Sequence, residues 1–401
     1  MGEEEAHARR RAMRLHRAEL RRRQLRRRRA VAAAVAAAVL LVAGVAAGHV
    51  LGGGGASAPS TTGVTHRGGS GTSAPSGGAA PPPQTPTGTV TISAVGDTML
   101  GYANTLAPDP GHYFDGVRSQ ITGDIRFANL EGALTDRTAG KCAVLTSSCY
   151  EFRVPPGWAR YFKRAGFTIV SNANNHAFDF WQGGLDDTVT ALDRVGLAHT
   201  GRTHEITYVK VRGITVAFIG VASYSNTGPL NDYPAAARLI HRAARHANIV
   251  VVAMHAGAEG TAALHLTGQD EIYGGENRGN PEAFAHMAID NGADLILGYS
   301  PHVLRAMEVY RHRLIAYSLG NFAGYHNFTI EGDLGVSGIL HVRLAANGRF
   351  VSGRFVSTAL VGPGTPELDP DGRGAALIEQ LSREDLGSRG AHVSPSGLIS
   401  P

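Results

Sequence analysis

The stretch FTIVSNANNHAFDF, residues 167–180, places amides and an imidazole directly after an apolar segment. Asn175 and His176 stand where a buried strand would end, although one Asn and a Gly are enough to make a turn. Four further apolar segments end in a similar way, at Asp97, Glu131, His255 and His302. Functional sites of α/β sheets are built at the carboxyl ends of strands, so these side chains could meet.

The shared feature of these residues is that each carries a metal-ligating group. Apart from His176, they offer two carboxylates, one amide oxygen and two imidazoles, a set that suits Mn²⁺, Fe²⁺ or Zn²⁺. One ion or a bridged pair could activate water and stabilise the displacement of a phosphoryl oxygen. Each residue alone has an ordinary explanation, such as a turn at Asp97 or an interior histidine at His255. Their joint occurrence predicts a shared metal site.

The segments that must position these residues alternate between helix and strand patterns. Residues 236–260 predict a helix and then an apolar strand ending at His255, and residues 281–303 repeat that plan. The sequence TYVKVRGITVAFIGVAS predicts a hairpin that turns at Arg212 and Gly213. Strands near 336–345 and 349–360 and a final helix near 373–386 follow. The pattern predicts an α/β fold in which helices cover a sheet.

The positive charge of the chain is confined to its N-terminus. Residues 1–29 contain twelve Arg and four Glu, which leaves 26 basic and 29 acidic side chains, a net of −3, in residues 30–401. A basic tail could bind nucleic acid. The apolar segment that follows it favours a membrane instead, and we expect no nucleic-acid partner.

Residues 30–51 are 22 residues without a charged side chain, and at ~1.5 Å per residue they could cross a bilayer core of ~30 Å. The arginines immediately before them predict a cytoplasmic tail over 1–29, a transmembrane signal-anchor over 30–51 and an extracytoplasmic remainder. A cleaved signal peptide and a surface amphipathic helix are the alternatives. Residues 52–88 are rich in Gly, Ser and Pro and predict a disordered linker.

Cys142 and Cys149 are the two cysteines of the chain and lie seven positions apart. An oxidising compartment outside the membrane would let them pair, whereas the alternative is two independent thiols. We expect a disulfide that holds a surface loop and takes no part in catalysis.

Five stretches, AVGDTMLG, FANLEGALT, SNANNHAFDFWQGGLDDTVTALDRVGLAHTG, HAGAE and PHVLRAMEVYRHRLIAYSLGNF, resemble the successive motifs of the CapA family. These are poly-γ-glutamate capsule synthesis proteins whose domain is similar to calcineurin-like metallophosphatases. The resemblance implies a four-layer α/β/β/α sandwich over residues 89–362, followed by a C-terminal extension with one helix over 363–401.

The resemblance also implies a role for each residue. Asp97 and Glu131 match carboxylate ligands, Asn175 matches the amide ligand, and His255 and His302 match later ligands. His176 matches the histidine that contacts the scissile group or acts as a general acid, and Asp179 would orient it. Glu308 and Asn321 lie in family motifs without a role that can be derived from the sequence.

Two departures from the metallophosphatase pattern bear on catalysis. Met99 stands where those enzymes have a histidine, and Tyr299 stands where many relatives have another. A thioether is a poor ligand for hard ions, so the site could hold one ion or two weakly held ions.

Together with the membrane-anchor pattern, the resemblance implies a membrane-anchored protein that assists synthesis, export or retention of an anionic capsule polymer, poly-γ-glutamate, with a capsule synthase complex as a candidate partner. It would act as a metal-dependent phosphoester hydrolase or, alternatively, as a non-catalytic polymer- or complex-binding subunit with a degenerate metal site. Arg278 could meet a phosphate or carboxylate group, or it could be a solvated loop charge.

Overall fold

The computed structural model describes residues 87–102, 105–142 and 149–401. The predicted tail, membrane anchor and nearly all of the predicted linker lie outside these residues. None of the helices in the described part of the chain is long and apolar enough to cross a membrane.

In the part of the chain that the structure describes, the main strands alternate with five α-helices. The strands of the first half are β1 (Thr89–Met99), β2 (Ile125–Leu130), β3 (Ile169–Ser171), β4 (Ala198–Thr200), β5 (Thr207–Val211), β6 (Ile214–Ala222) and β7 (Ile249–His255). Those of the second half are β8 (Leu295–Tyr299), β9 (Met307–Tyr310), β10 (Arg313–Ala316), β11 (Asn321–Gly324), β12 (Val336–Ala345), β13 (Phe350–Val361), β14 (Thr365–Leu368), β15 (His392–Val393) and β16 (Leu398–Ser400). The helices are α1 (Ala159–Ala165), α2 (Trp181–Arg194), α3 (Tyr233–Ala244), α4 (Pro281–Asp290) and α5 (Arg373–Leu386).

Two sheets account for these strands. The first has the order β15-β16-β13-β12-β1-β2-β3-β4, with β11 also paired to β1 and β14 to β13. The second runs β6-β7-β8-β10-β9, with β5 also paired to β6 and the short strand Gly228–Pro229 beyond β6. The α/β fold expected from the sequence is confirmed.

The core is divided into three apolar clusters. One lies between the two sheets, where the rings of Phe127 and Phe218 stack with centroids 5.5 Å apart. A second covers the outer face of the first sheet under α1 and α2. The third covers the outer face of the second sheet under α3 and α4. The layers therefore run helix, sheet, sheet, helix.

Local sequence explains where the helices that cover the second sheet begin. Asp232 and Asn280 cap α3 and α4, because each side chain accepts a hydrogen bond from the backbone N–H three residues on, and a proline follows in the first turn of each helix. The strands β7 and β8, which follow α3 and α4 respectively, are buried along their whole length, as expected of parallel strands covered on both faces. The hairpin predicted at Arg212 and Gly213 joins β5 to β6.

The C-terminal residues belong to the first sheet. β16 pairs with Gly353 and Arg354 of β13. Helix α5 contributes Ile378 to the cluster between the sheets and Leu381 to the cluster on the outer face of the second sheet. The sequence analysis did not predict β15 or β16, because strands of two and three residues give too short a pattern to recognise.

Candidate metal centre

The carboxyl ends of strands from both sheets meet at one buried cluster. Asp97 lies near the end of β1, Glu131 directly after β2, and His302 after β8. One ligating atom from each of these three residues lies within 4.8 Å of the other two. Both carboxylates have no exposed surface. The structure therefore brings these three residues of the predicted site together.

Asp97 does not end its strand, although the sequence indicated a turn at Gly96 and Asp97. β1 continues to Met99, and its pairing with β11 and with β2 shifts register at this point. The Asp97 N–H donates to the carbonyl of Gly320 at 2.8 Å. A Cβ on Gly96 would collide with that same carbonyl oxygen. Glycine at 96 therefore lets the two backbones approach closely enough to fix Asp97.

A chain of amide side chains holds Asp97 against the neighbouring strands. Asn129 donates to Asp97 Oδ1 at 2.7 Å, and its own Oδ1 accepts from Asn174 at 3.1 Å. Asn174 also donates to the carbonyl of Leu130 at 2.9 Å and accepts from the His176 N–H at 3.1 Å. The amide-rich segment after β3 thus serves as a scaffold as well as a source of ligands, a role for Asn129 and Asn174 that the sequence did not suggest.

His302 is oriented by partners on both ring nitrogens. Its Nδ1 lies 2.9 Å from Asn321 Oδ1 and 3.1 Å from Asp97 Oδ2, while Nε2 lies 3.8 Å from Glu131 and 3.9 Å from Glu259. Donation from Nδ1 to Asn321 would leave Nε2 free to bind an ion, as is usual for metal-ligating histidines. Asn321, which had no derivable role, therefore orients His302.

The electrostatics of the cluster follow from burial. Desolvation raises the pKa of Glu131 to about 8, and Asp97 adds to the shift. Burial would lower the pKa of His302, but Glu131 and Asp97 outweigh it and raise this pKa to about 10. Burial likewise acts to raise the pKa of Asp97, yet His302 holds it below its ordinary value. Without a cation at neutral pH, Glu131 is therefore protonated and the imidazolium of His302 balances the carboxylate of Asp97.

His255 stands beside this group at the end of β7. Its Nε2 lies 3.3 Å from Glu131 Oε1, and its Nδ1 has no hydrogen-bond partner in the described part of the chain. Desolvation lowers its pKa to about 3, so the ring is neutral at physiological pH. A neutral imidazole is the form that binds metals.

The unsatisfied atoms of the site fit a divalent cation. Buried polar atoms normally have hydrogen bonds. Among the described residues, three of the predicted ligands each leave one buried atom without a hydrogen bond: Glu131 Oε2, Asn175 Oδ1 and His255 Nδ1. Asp97 Oδ2 has only its 3.1 Å contact with His302. Carboxylate, amide and imidazole donors of this kind are the ligands of Mn²⁺, Fe²⁺ and Zn²⁺. The side chain of Asn175 is not part of the buried group of three, and its role as a ligand stays a prediction.

The predicted catalytic pair is present next to this centre. His176 Nδ1 lies 2.8 Å from Asp179 Oδ2, and Asp179 has no exposed surface. This contact fixes the ring and leaves Nε2 as the nitrogen that can exchange a proton with a bound molecule. The backbone of His176 is joined to Asp97 through Asn174 and Asn129, so the pair and the ligands form one hydrogen-bonded unit.

Comparison with known protein families agrees with this geometry. Residues 91–325, which include every predicted ligand and predicted catalytic residue discussed above, match the family described as "Bacterial capsule synthesis protein PGA_cap". The chain belongs to this family. Its motifs are those that the sequence predicted as CapA-like.

Two curated relatives are CapA proteins. The chain is 33% identical over 218 residues to the PGA biosynthesis protein CapA of Bacillus subtilis (strain 168), covering 50% of this chain and 52% of that protein. It is 32% identical over 206 residues to the capsule biosynthesis protein CapA of Bacillus anthracis, covering 46% of each. The chain thus matches about half the length of these relatives.

Solved structures with a similar chain path are more distant. A hypothetical protein from Thermus thermophilus superposes with a TM-score of 0.42 at 17% identity, covering 67% of this chain and 98% of that one. A 5'-nucleotidase precursor from the same organism superposes with a TM-score of 0.36 at 15% identity, covering 74% of this chain and 59% of that one.

Within this PGA_cap domain, a cleft of about 340 Å³ is lined by Lys141, Asn175, Trp181, Tyr224 and Arg278, among others. Arg278 is only 5% exposed, which excludes a solvated loop charge. Its Nη1 lies 3.1 Å from Glu259 Oε1 and its Nε lies 3.0 Å from Glu276 Oε2. The guanidinium also faces the ring of Tyr224. Glu259, which the sequence did not single out, therefore links Arg278 to His302.

Both residues that depart from the metallophosphatase pattern are buried. Met99 is 3% exposed, and Tyr299 is 1% exposed with a hydroxyl that has no hydrogen-bond partner in the described part of the chain. Burial raises the pKa of Tyr299 well above its ordinary value, so the phenol stays neutral and is a weak ligand.

Proposed function

We propose that this chain is a membrane-anchored, extracytoplasmic accessory protein in the synthesis, export or retention of a capsule polymer such as poly-γ-glutamate, and that its domain hydrolyses a phosphoester with a divalent metal. Membership of the PGA_cap family and the similarity to the two CapA proteins support the capsule assignment. The observation that carries the hydrolytic part is the buried group of Asp97, Glu131 and His302, whose ligating atoms lie within 4.8 Å of one another.

The residues of the site have distinct tasks in this proposal. Asp97, Glu131 and His302 would hold the cation, with His255 and Asn175 as further ligands. Bound there, a divalent ion would supply Lewis acidity toward a phosphoester oxygen. His176, fixed by Asp179 at 2.8 Å, would donate a proton from Nε2 to the leaving oxygen.

The cleft beside the site would bind the substrate. Arg278 is held rigid by two glutamates, and Lys141 lies in the same cleft, so both could face an anionic group. The −3 net charge of residues 30–401 gives no general attraction for a polyanion, so we expect recognition by these local contacts.

A non-catalytic role is the second candidate, and Met99 and Tyr299 favour it. Both lie where an imidazole would complete the ligands of a second ion, and neither replaces it well. In that case the domain would bind polymer or a synthase complex in the membrane, with one structural ion.

Turnover of phosphoesters by the metal-loaded protein separates the two candidates. We expect the full-length chain to hydrolyse a phosphomonoester or phosphodiester with Mn²⁺, and His176→Gln to lower kcat by about 10²-fold or more, since general acid catalysis contributes that much. His112→Gln, at an exposed histidine, is the matched control. Metal uptake without turnover by the wild-type chain would support the binding role instead.

A further inference from the structure

The disulfide loop is built on two paired strands beside the candidate site. The chain leaves the short strand Ala133–Leu134 and returns at Arg153–Val154, and these strands pair in parallel. Cys142 and Cys149 form a disulfide between them, as the sequence predicted. The Cys142 N–H also donates to Glu151 Oε2 at 3.1 Å, so the two sides of the loop are joined twice close to the disulfide.

Both sides of this loop contact Asp179. From the side before the disulfide, Lys141 Nζ lies 2.7 Å from Asp179 Oδ1, and the Lys141 N–H donates to the Asp179 carbonyl at 2.8 Å. From the side after it, the Phe152 N–H donates to Asp179 Oδ2 at 2.6 Å. The Phe152 ring also packs edge-on against His176, with ring centroids 4.4 Å apart.

Asp179 depends on these contacts because it has no exposed surface. A buried carboxylate is costly unless it is paired and hydrogen-bonded. Its side chain has three partners in the described part of the chain, and the loop supplies two of them, Lys141 and Phe152, while His176 is the third. If the two sides of the loop separate, the Asp179 side chain keeps only its contact with His176. Neither the carboxylate nor the imidazole ring is then held in a fixed orientation.

We infer that the Cys142–Cys149 disulfide, acting through Lys141 and Phe152, is a positioning device for His176, so that the site is fully assembled only in the oxidised chain. This goes beyond the expectation that the bond merely holds a surface loop. The effect on catalysis rests on the proposed function, whereas the position of His176 can be measured without any turnover.

The experiment measures how fast diethyl pyrocarbonate modifies His176 in the full-length chain, read by peptide mass spectrometry in the presence of a chelator. Oxidised wild type is compared with reduced wild type and with the Cys142→Ser/Cys149→Ser double variant. Opening the loop should raise the His176 rate at least threefold, since the ring loses its packing and its fixed partner. The exposed His392 is the internal reference and should not change. Equal His176 rates in all three forms would overturn the inference.

Lys141 provides a second test that leaves the disulfide closed. Lys141→Met should raise the rate at which His176 is modified. Lys141→Arg, which keeps the positive charge, should leave this rate at the wild-type value. A Lys141→Met variant with the wild-type rate would contradict the positioning role of this residue.

Where the chain turns over a phosphoester, reduction should lower kcat at least fivefold with KM within twofold, whereas a rise in KM alone would contradict the inference. If no form of the chain turns over, the hydrolytic proposal fails, while the modification rates still decide the inference.

Discussion

Asp97 and Glu131 are two fully buried carboxylates that approach the same histidine, His302. Two carboxylates at such a position repel each other, and the raised pKa of Glu131 records both this repulsion and the loss of water. A divalent cation would remove that cost because it pairs with both groups at once. The geometry is therefore one in which ion binding stabilises the fold.

Asn174 is the residue at which the proposed scaffold can be tested most simply. Asn174→Ala would leave Asn129 Oδ1, the Leu130 carbonyl and the His176 N–H without their partner. Buried groups left unsatisfied cost about 1–3 kcal/mol each, so we expect a clear loss of unfolding free energy in thermal or urea denaturation. Asn231→Ala removes one exposed hydrogen bond and should change stability by less than about 0.5 kcal/mol. Equal stabilities of the two variants would argue against the scaffold.

At the scale of elements, the end of β1 is positioned by its neighbour β11. The carbonyl of Gly320 accepts from the Asp97 N–H, and only a hydrogen at position 96 leaves room for it. The strand pairing shifts register at the same place, which turns Asp97 toward the ligands from the other sheet.

We expect Gly96→Ala to separate β1 from β11. The added methyl group would collide with the backbone of Gly320, which cannot move aside as a side chain could. Melting temperature should fall by several degrees, and Mn²⁺ binding should weaken at least tenfold. Gly157→Ala is the control, because a Cβ there meets only the guanidinium of Arg160 at 3.6 Å. Wild-type Mn²⁺ affinity in Gly96→Ala would contradict this account of the strand.

Sequence patterns predicted the parts of the fold that depend on local periodicity. The helices before β7 and β8 and the hairpin at Arg212 and Gly213 could be predicted, because burial and turn preferences depend on neighbouring residues. The contact of Gly96 with Gly320, the bond from Asn174 to Asn129 and the approach of Phe152 to Asp179 join distant segments. Such contacts arise only when the sheets assemble, and no local pattern predicts them.

The whole molecule adds a long N-terminal region to this domain. Residues 1–51 combine an arginine-rich tail with an uncharged apolar segment, and residues 52–88 would let the domain reach away from a membrane. Membrane attachment stays a prediction from the sequence, and it can be tested directly.

We expect the full-length chain, expressed in a bacterial host, to remain in the membrane fraction after alkaline carbonate extraction. A chain lacking residues 1–51 should be released, because the deletion removes the uncharged apolar segment 30–51 that would span the bilayer. A chain lacking only residues 1–29 should stay in the membrane but lose its fixed orientation, since the arginines set it. Full-length protein that carbonate extracts would show that residues 30–51 do not anchor it.

Metal binding by Asp97, Glu131 and His302 is tested most directly by equilibrium dialysis of Mn²⁺ against the full-length chain over a range of pH. In the metal-free site, Glu131 has a pKa of about 8 and His302 of about 10, so both are protonated at neutral pH. An ion must displace these protons, and affinity should therefore rise with pH, by about tenfold per pH unit for each proton released between about pH 6 and pH 8. We predict at least one bound ion per chain and a loss of binding in both Asp97→Asn and Glu131→Gln. The assignment of Asp97 and Glu131 as metal ligands would be contradicted if the wild-type chain took up none of Mn²⁺, Fe²⁺ and Zn²⁺. Uptake that both variants retain would contradict it as well.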